Sequence, residues 1–349
     1  MKGGGAASLV REMSLAVLRS KRILTWILFA SWVGVGTPVN AAFQLSNPFG
    51  NIIDDVADFV NSKLGPSDVG ASYAALINFA GNPDISTATY YIEAPRDSEG
   101  TLTVGRFSFR HPFWEEGDQW KPFVQAFVPY QTLRYDLDFE ETEEDADARW
   151  DAVGLILTFG NEFDVSERWK ITPAINTGAF RLESNAGYRG AISEGILDPA
   201  FSGTVFDWTA YSWVLGASLW LDYKREFNKF DAGVHLGATY NHVSSFHSTS
   251  DEISFSSEAL TLDATLDTVH ETPINLNGFP ISMVFSVGGT AILGPAGNAL
   301  GFSSFSDYGV AVQADISRLG WSAQTVQLGG KIIYGPGVTG WSIIFNYDF

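Results

Sequence analysis

The chain ends on Gly340-Trp341-Ser342-Ile343-Ile344-Phe345-Asn346-Tyr347-Asp348-Phe349, and the reading of this stretch decides the fold. Trp341, Ile343, Phe345, Tyr347 and Phe349 fall on one face at the two-residue period of a strand. Gly340, Ser342, Asn346 and Asp348 fall on the other, where Ile344 is the one apolar exception. A strand in a sandwich core can alternate in the same way, but it rarely closes a chain on a terminal Phe.

This ending resembles the C-terminal signature of bacterial outer-membrane proteins. The resemblance implies a transmembrane barrel, with these five residues read by the barrel-assembly machinery after escort by periplasmic chaperones. Physics gives the same answer by another route. Every backbone N–H and C=O in hydrocarbon needs a partner, so only helices or closed barrels cross a bilayer. Past the N-terminus no run of about 18 apolar residues could make a spanning helix. Charged residues are only 17% of the chain, against roughly 25% in soluble domains. Gly and aromatic residues are abundant, while mean hydropathy stays near zero at +0.03. That combination suits alternating strands with one apolar face.

Upstream alternation predicts strands over 86–93, 101–110, 121–135, 150–160, 169–182, 205–223, 229–246, 260–270, 275–292, 307–316 and 325–334. With the terminal strand the count is about twelve, within a range of ten to fourteen. An even count puts both ends on one side. The connections 94–100, 136–149, 183–204, 247–259, 294–306 and 335–337 then face outside, where long loops belong. The periplasmic set is 111–120, 161–168, 224–228, 271–274 and 317–324. Trp150, Trp169, Tyr223 and Tyr334 lie near strand ends, where interfacial girdles form.

At the other terminus Lys21 and Arg22 precede the apolar stretch 23–35, and Val39 and Ala41 stand at the −3 and −1 positions of a cleavage site. Residues 1–41 therefore read as a secretory signal peptide, with an uncleaved anchor as the alternative. Cleavage removes five cations (Lys2, Arg11, Arg19, Lys21, Arg22) and one anion (Glu12), taking net charge from −19 to −23. So acidic a surface argues against nucleic-acid partners. There is no cysteine, which excludes disulfides and thiolate metal sites.

Residues 42–85 precede the barrel of 86–349. Within them NIIDDVADFVNSKL (51–64) carries Ile52, Ile53, Val56, Phe59, Val60 and Leu64 at helical spacing. Asn51 can cap this helix and Gly65-Pro66 stops it. It is expected either to thread the lumen as a plug or to rest at the barrel mouth. Residues 69–80 fit a short helix or a further strand. A helix ahead of a roughly twelve-stranded barrel with a terminal aromatic is similar to the translocator domain of autotransporters. With about ten residues between signal peptide and helix, the chain looks most like the solitary, passenger-less kind. The resemblance implies a monomer and brings no catalytic residues.

Inward positions carry Arg106, Lys170, Asp231, His235, Asp263, Asp267, Asp315 and Lys331. Both signs are present, which favours a cross-linked, occluded lumen over an open ion-selective porin. Inward glycines such as Gly154, Gly178, Gly233, Gly237, Gly309 and Gly329 would leave room for a helix, or relieve crowding in a narrow barrel. Of the histidines only His235 points into the lumen mid-strand, and Asp263 or Asp267 can approach it. Ser244, Ser245 and Ser248 lie near His242 and His247, yet Ser is common in this loop and no phospholipase-like spacing stands out. The acidic run 136–147 includes Asp138, Glu140, Glu141, Glu143 and Glu144 and lacks EF-hand ligand spacing. It reads as a solvated outer loop, or as a weak divalent site bridging to lipopolysaccharide phosphates. No cofactor is expected. The expected function is an occluded translocator-like barrel or surface scaffold, with a gated channel for small or apolar solutes and an outer-membrane hydrolase as alternatives.

Overall fold

The computed structural model describes residues 77, 79, 87–93, 99–114, 120–138, 145–189, 202, 206–249, 254–294, 300–319 and 324–348. The expected signal peptide and the helix of Ile52 to Leu64 lie outside the described residues, as does Phe349.

Twelve strands follow one another among the described residues. They are β1 (Thr87–Glu93), β2 (Glu99–Pro112), β3 (Lys121–Asp138), β4 (Asp145–Asp164), β5 (Trp169–Arg189) and β6 (Trp208–Phe227). β7 (Phe230–Ser248), β8 (Ser256–Leu276), β9 (Phe279–Leu293), β10 (Ser304–Asp315), β11 (Thr325–Gly335) and β12 (Val338–Asp348) complete the set. Each pairs antiparallel with its neighbours, and β1 pairs with β12 to close the barrel. Closure satisfies every ladder without leaving an edge, as a lipid environment demands. Among the described residues no helix is long and apolar enough to cross a membrane.

The register fixes the geometry. A lumen-facing path leaves β6 at Asp222 and crosses His235, Thr265, Gly288, Asp307 and Ile333. It continues through Gly340, Tyr90, Leu102, Leu133, Trp150 and Ser184 and returns to β6 at Trp208. Asp222 and Trp208 are fourteen residues apart on one strand, which is the shear of the barrel. With a rise of about 3.3 Å per residue and strands about 4.7 Å apart, the strands tilt by about 40°. The path therefore climbs about one residue per strand, and this climb sets which side chains share a level.

Strand ends differ on the two sides. At the end carrying both termini, β6 and β7 join through Asn228-Lys229 and β8 and β9 through Asn277-Gly278. Asn277 has φ 54° and Gly278 φ 93°, the positive pair that a two-residue hairpin prefers. The expected turn at 271–274 is instead strand: β8 runs on to Leu276, with a register shift between Glu271 and Asn275 around Pro273. There the Thr272 hydroxyl donates to the Ile281 carbonyl at 2.6 Å, replacing part of the ladder. At the opposite end the connections are longer and the strands β4 to β8 project. The expected loop 183–204 starts late, because β5 continues to Arg189 paired with Asp145 of β4. Likewise residues 161–164, read as a turn, belong to β4.

Outward positions carry a band of apolar side chains, from Phe107 and Phe109 on β2 through Leu215, Leu219 and Phe285 to Leu328 and Ile332. Phe107 is 84% exposed, which water would not favour and a lipid shell does. Trp341, Ile343 and Phe345 of the terminal strand belong to this band, while Tyr347 continues β12. Ile344, the exception on the inner face, packs with Val284 and Ala311 inside the barrel. Ile316 is buried just after β10, where its N–H donates to the Gln324 carbonyl.

Candidate functional site

The lumen divides into two levels. Towards the short-turn end it is polar and charged. Glu162 is buried between Arg110, which hydrogen-bonds it, and Lys170 at 2.8 Å. The Arg110 guanidinium also stacks 3.7 Å over the Phe123 ring, so the carboxylate meets a delocalised cation on one side and the compact Lys170 ammonium on the other. Lys121 pairs with Asp164 nearby. On the facing wall His235 Nδ1 lies 2.7 Å from Asp222 Oδ1, and its Nε2 lies 3.4 Å from Asp263 Oδ2. The first is a short, aligned hydrogen bond; the second is a close approach without hydrogen-bond alignment. Lys331 Nζ meets Asp307 Oδ1 at 2.9 Å, and both side chains are nearly buried. A belt of hydroxyl and amide groups runs level with these: Thr158 to Asn176 at 2.8 Å, Asn176 to Ser218 at 2.8 Å, Ser218 to Thr239 at 2.9 Å.

Above the belt the lumen turns apolar. Tyr90, Leu102, Tyr135, Trp150, Phe180, Trp208 and Phe305 point inward and form one buried cluster. Loop residues Phe206, Phe255, Leu300 and Phe302 fold in to join it. Ile77 and Phe79, helical residues ahead of β1, are buried inside the same cluster at 0% and 2% exposure. The Phe79 ring sits 5.0 Å from Tyr90, 5.4 Å from Phe305 and 5.6 Å from Phe302, at edge or tilted angles that aromatic quadrupoles favour. A segment preceding the barrel thus enters the lumen at its long-loop half.

The inward glycines do not leave an empty channel. A Cβ at Gly154 would stand 2.4 Å from the Phe180 ring, at Gly237 2.3 Å from Asp263, and at Gly309 2.2 Å from the Ser286 hydroxyl. Each lets a neighbouring strand lay a side chain across the lumen wall. Gly233 is the exception, with only a carbonyl 3.9 Å away.

Of the remaining expected lumen residues, Arg106 lies 4.9 Å over the Phe127 ring at the boundary of the two levels. Asp267 is half-buried on the lumen face, and Asp231 is exposed at the short-turn rim. Asp315 turns to local work: it accepts from the Ser317 N–H at 3.0 Å and caps the 3-10 turn Ser317–Leu319. Asp138 ends β3, while Glu140, Glu141, Glu143 and Glu144 lie outside the described residues. Three acidic partners went unremarked in the sequence, Glu162, Asp222 and Asp307. All three sit at inward parity, so alternation alone could have found them. Phe302 carried no such signal, since it lies in the loop before β10, and Phe305, at the inward parity of Asp307, stands just ahead of the strand start read at 307.

Comparisons with known proteins agree on this architecture. The family model described as a solitary outer membrane autotransporter beta-barrel domain matches residues 100–349. The transport unit of the autotransporter AIDA-I from Escherichia coli superposes with TM-score 0.50 at 8% identity, covering 81% of this chain and 99% of that one. The translocator domain of autotransporter NalP from Neisseria meningitidis gives TM-score 0.48 at 12% identity, covering 84% and 99%. No curated protein matched the sequence.

Proposed function

Since the chain belongs to the solitary outer membrane autotransporter β-barrel family, we propose that it works as an occluded translocator-like barrel and surface scaffold, shut by its own N-terminal segment. It is an outer-membrane protein of a Gram-negative bacterium. Short turns of such barrels face the periplasm and long loops the exterior. The aromatic cluster then lies at the extracellular half, and the charged level opens towards the periplasm.

The observation that carries this reading is the burial of Ile77 and Phe79 among lumen aromatics. A conducting path needs water from end to end, and a packed apolar plug of this kind excludes it. Residues 42–85, including the helix expected from Ile52 to Leu64, would be the leash that brings this plug into place. Trp341, Ile343, Phe345, Tyr347 and Phe349 would dock on the barrel-assembly machinery, after which the barrel stays monomeric. The acidic run after β3 would face lipopolysaccharide and share divalent cations with its phosphates.

Planar-bilayer recording on the refolded mature chain tests the proposal. The intact barrel is expected to be silent. Deletion of 42–85 is expected to give discrete conductance steps, and the double change Ile77→Ala, Phe79→Ala intermittent ones. Strong conductance by the intact chain would favour the gated-channel alternative instead.

A further inference from the structure

The outer surface of the barrel carries a group of side chains that the lumen does not use. On β7 and β8, near the long-loop end, His242 and Glu258 are directly paired across the strands, with Ser256 two residues before Glu258 on the same face. Ser256 Oγ lies 3.4 Å from His242 Nε2, and Glu258 Oε1 lies 3.7 Å from His242 Nδ1. The order hydroxyl, imidazole, carboxylate, with the two ring nitrogens shared between the other two, is that of a nucleophile, its base and the base's orienter. Such contacts are commonly longer in a resting site than in a substrate complex. Tyr240 lies on the same outer face of β7, two residues before His242. The imidazole is flanked by Trp213, ring centroids 5.3 Å apart. Ser244, opposite Ser256, instead donates to the Ser245 carbonyl.

Position gives the second argument. Following the register around the tilted sheet, His242 stands about level with the upper ends of β10 to β12, whose eleven or twelve residues are close to what a bilayer requires. Tyr211, Trp213, Tyr240 and Phe246 are exposed around it, as in an interfacial aromatic girdle. Immediately towards the membrane centre, Leu215, Leu236 and Leu262 are exposed in the lipid band. An acyl chain lying along these leucines would carry its ester group to the level of Ser256. A bulge takes Phe246 out of the β6 register beside this site, and bulges of this kind free backbone N–H groups and recur next to active sites.

We propose that Ser256, His242 and Glu258 form a lipid-facing acyl-ester hydrolase site at the outer leaflet. Ser256 Oγ attacks the ester carbonyl carbon as its proton passes to His242 Nε2. The carbon–alkoxide bond breaks, and the leaving lipid alcohol takes that proton. Water, deprotonated by the same imidazole, then cleaves the acyl-serine to a fatty acid and free Ser256. Glu258 is a positioning residue: it acts through His242.

The test uses the refolded mature chain, with folding of every variant verified by heat-modifiable gel migration. Diisopropyl fluorophosphate should add one phosphoryl group, mapped by mass spectrometry to Ser256. The adduct should vanish in Ser256→Ala, persist in Ser244→Ala and form about 100-fold more slowly in His242→Asn. Fatty-acid release is followed on phosphatidylethanolamine vesicles and, separately, on purified lipopolysaccharide; the lipid that is cleaved names the source of the ester. Release should fall at least about 100-fold in Ser256→Ala. Glu258→Gln should lower kcat about 10-fold with KM unchanged, which a merely structural carboxylate would not do. A folded wild type that takes no adduct and releases no acid, an adduct on another serine, or a Ser256→Ala barrel as active as wild type would each overturn the proposal.

Discussion

The two ends of this barrel are built on different physical terms. At the long-loop end the connections are part of the core: Phe206, Phe255, Leu300 and Phe302 leave the loops and pack on lumen-facing strand residues. At the short-turn end the hairpins Asn228-Lys229 and Asn277-Gly278 contribute nothing to the apolar clusters, and the lumen beside them is held by ion pairs. One half is held by a single large aromatic cluster, the other by ion pairs together with two small apolar clusters, one of Phe123, Ala174 and Trp220 and one of Val284, Ala311 and Ile344. Apolar packing excludes water, whereas paired charges tolerate partial hydration.

The sharpest way to break this comparison is at Lys331. Its ammonium and the Asp307 carboxylate are 2.9 Å apart and nearly buried. Lys331→Met strands Asp307 without its cation, and the expected loss is about 4 kcal/mol of unfolding free energy. The double change Lys331→Met, Asp307→Leu should return to within about 1 kcal/mol of wild type, since an apolar pair of similar volume needs no desolvation of charge. Urea unfolding in lipid vesicles, followed by tryptophan fluorescence, measures both. If Lys331→Met costs less than about 1 kcal/mol, water reaches the pair and the charged level is a hydrated vestibule rather than a second core.

A smaller effect sharpens the same contrast from the apolar side. At Gly154 an added Cβ would stand 2.4 to 2.7 Å from three atoms of the Phe180 ring, inside the aromatic cluster. Overpacking of a tight core site costs about 2 kcal/mol, and Gly154→Ala is expected to show it. At Gly233, in the charged half, the nearest atom is 3.9 Å away, so Gly233→Ala should be neutral within about 0.5 kcal/mol. Equal costs at the two sites would mean that the lumen is packed to one density throughout.

Much of the fold was legible in the chain because a strand's period is short and local. Alternation located all twelve strands, and Trp341, Ile343 and Phe345 took the outward face that their spacing required. Boundaries failed where pairing extends beyond the bilayer: Glu183 to Arg189 look polar, yet β4 gives them partners. The lumen was half legible. Lys170 and Lys331 were found by parity; their acidic partners Glu162 and Asp307 lie at inward parity on the preceding strands β4 and β10, and matching them needs the hairpin register. The seal was not legible at all. Ile77 and Phe79 belong to a stretch with no decisive periodicity, and Phe302 lies in a loop. They meet only because a closed barrel brings residues more than two hundred positions apart to one point.

The smallest expected effect tests whether the short turns truly stand apart from the core. Gly278 has φ 93°, accepts from Arg318 Nη1 at 3.1 Å through its carbonyl, and donates its N–H to Asn275 Oδ1 at 2.7 Å. An Ala there meets nothing closer than 3.5 Å, so its cost comes from the backbone conformation alone. Gly278→Ala is therefore expected to lose about 1 kcal/mol in the same urea titration, with the conductance of the barrel unchanged. A loss comparable with that of Gly154→Ala would show the turn to be coupled into the charged lumen above it. A purely local loss would confirm the division: loops at one end pack the seal, and turns at the other only reverse the chain.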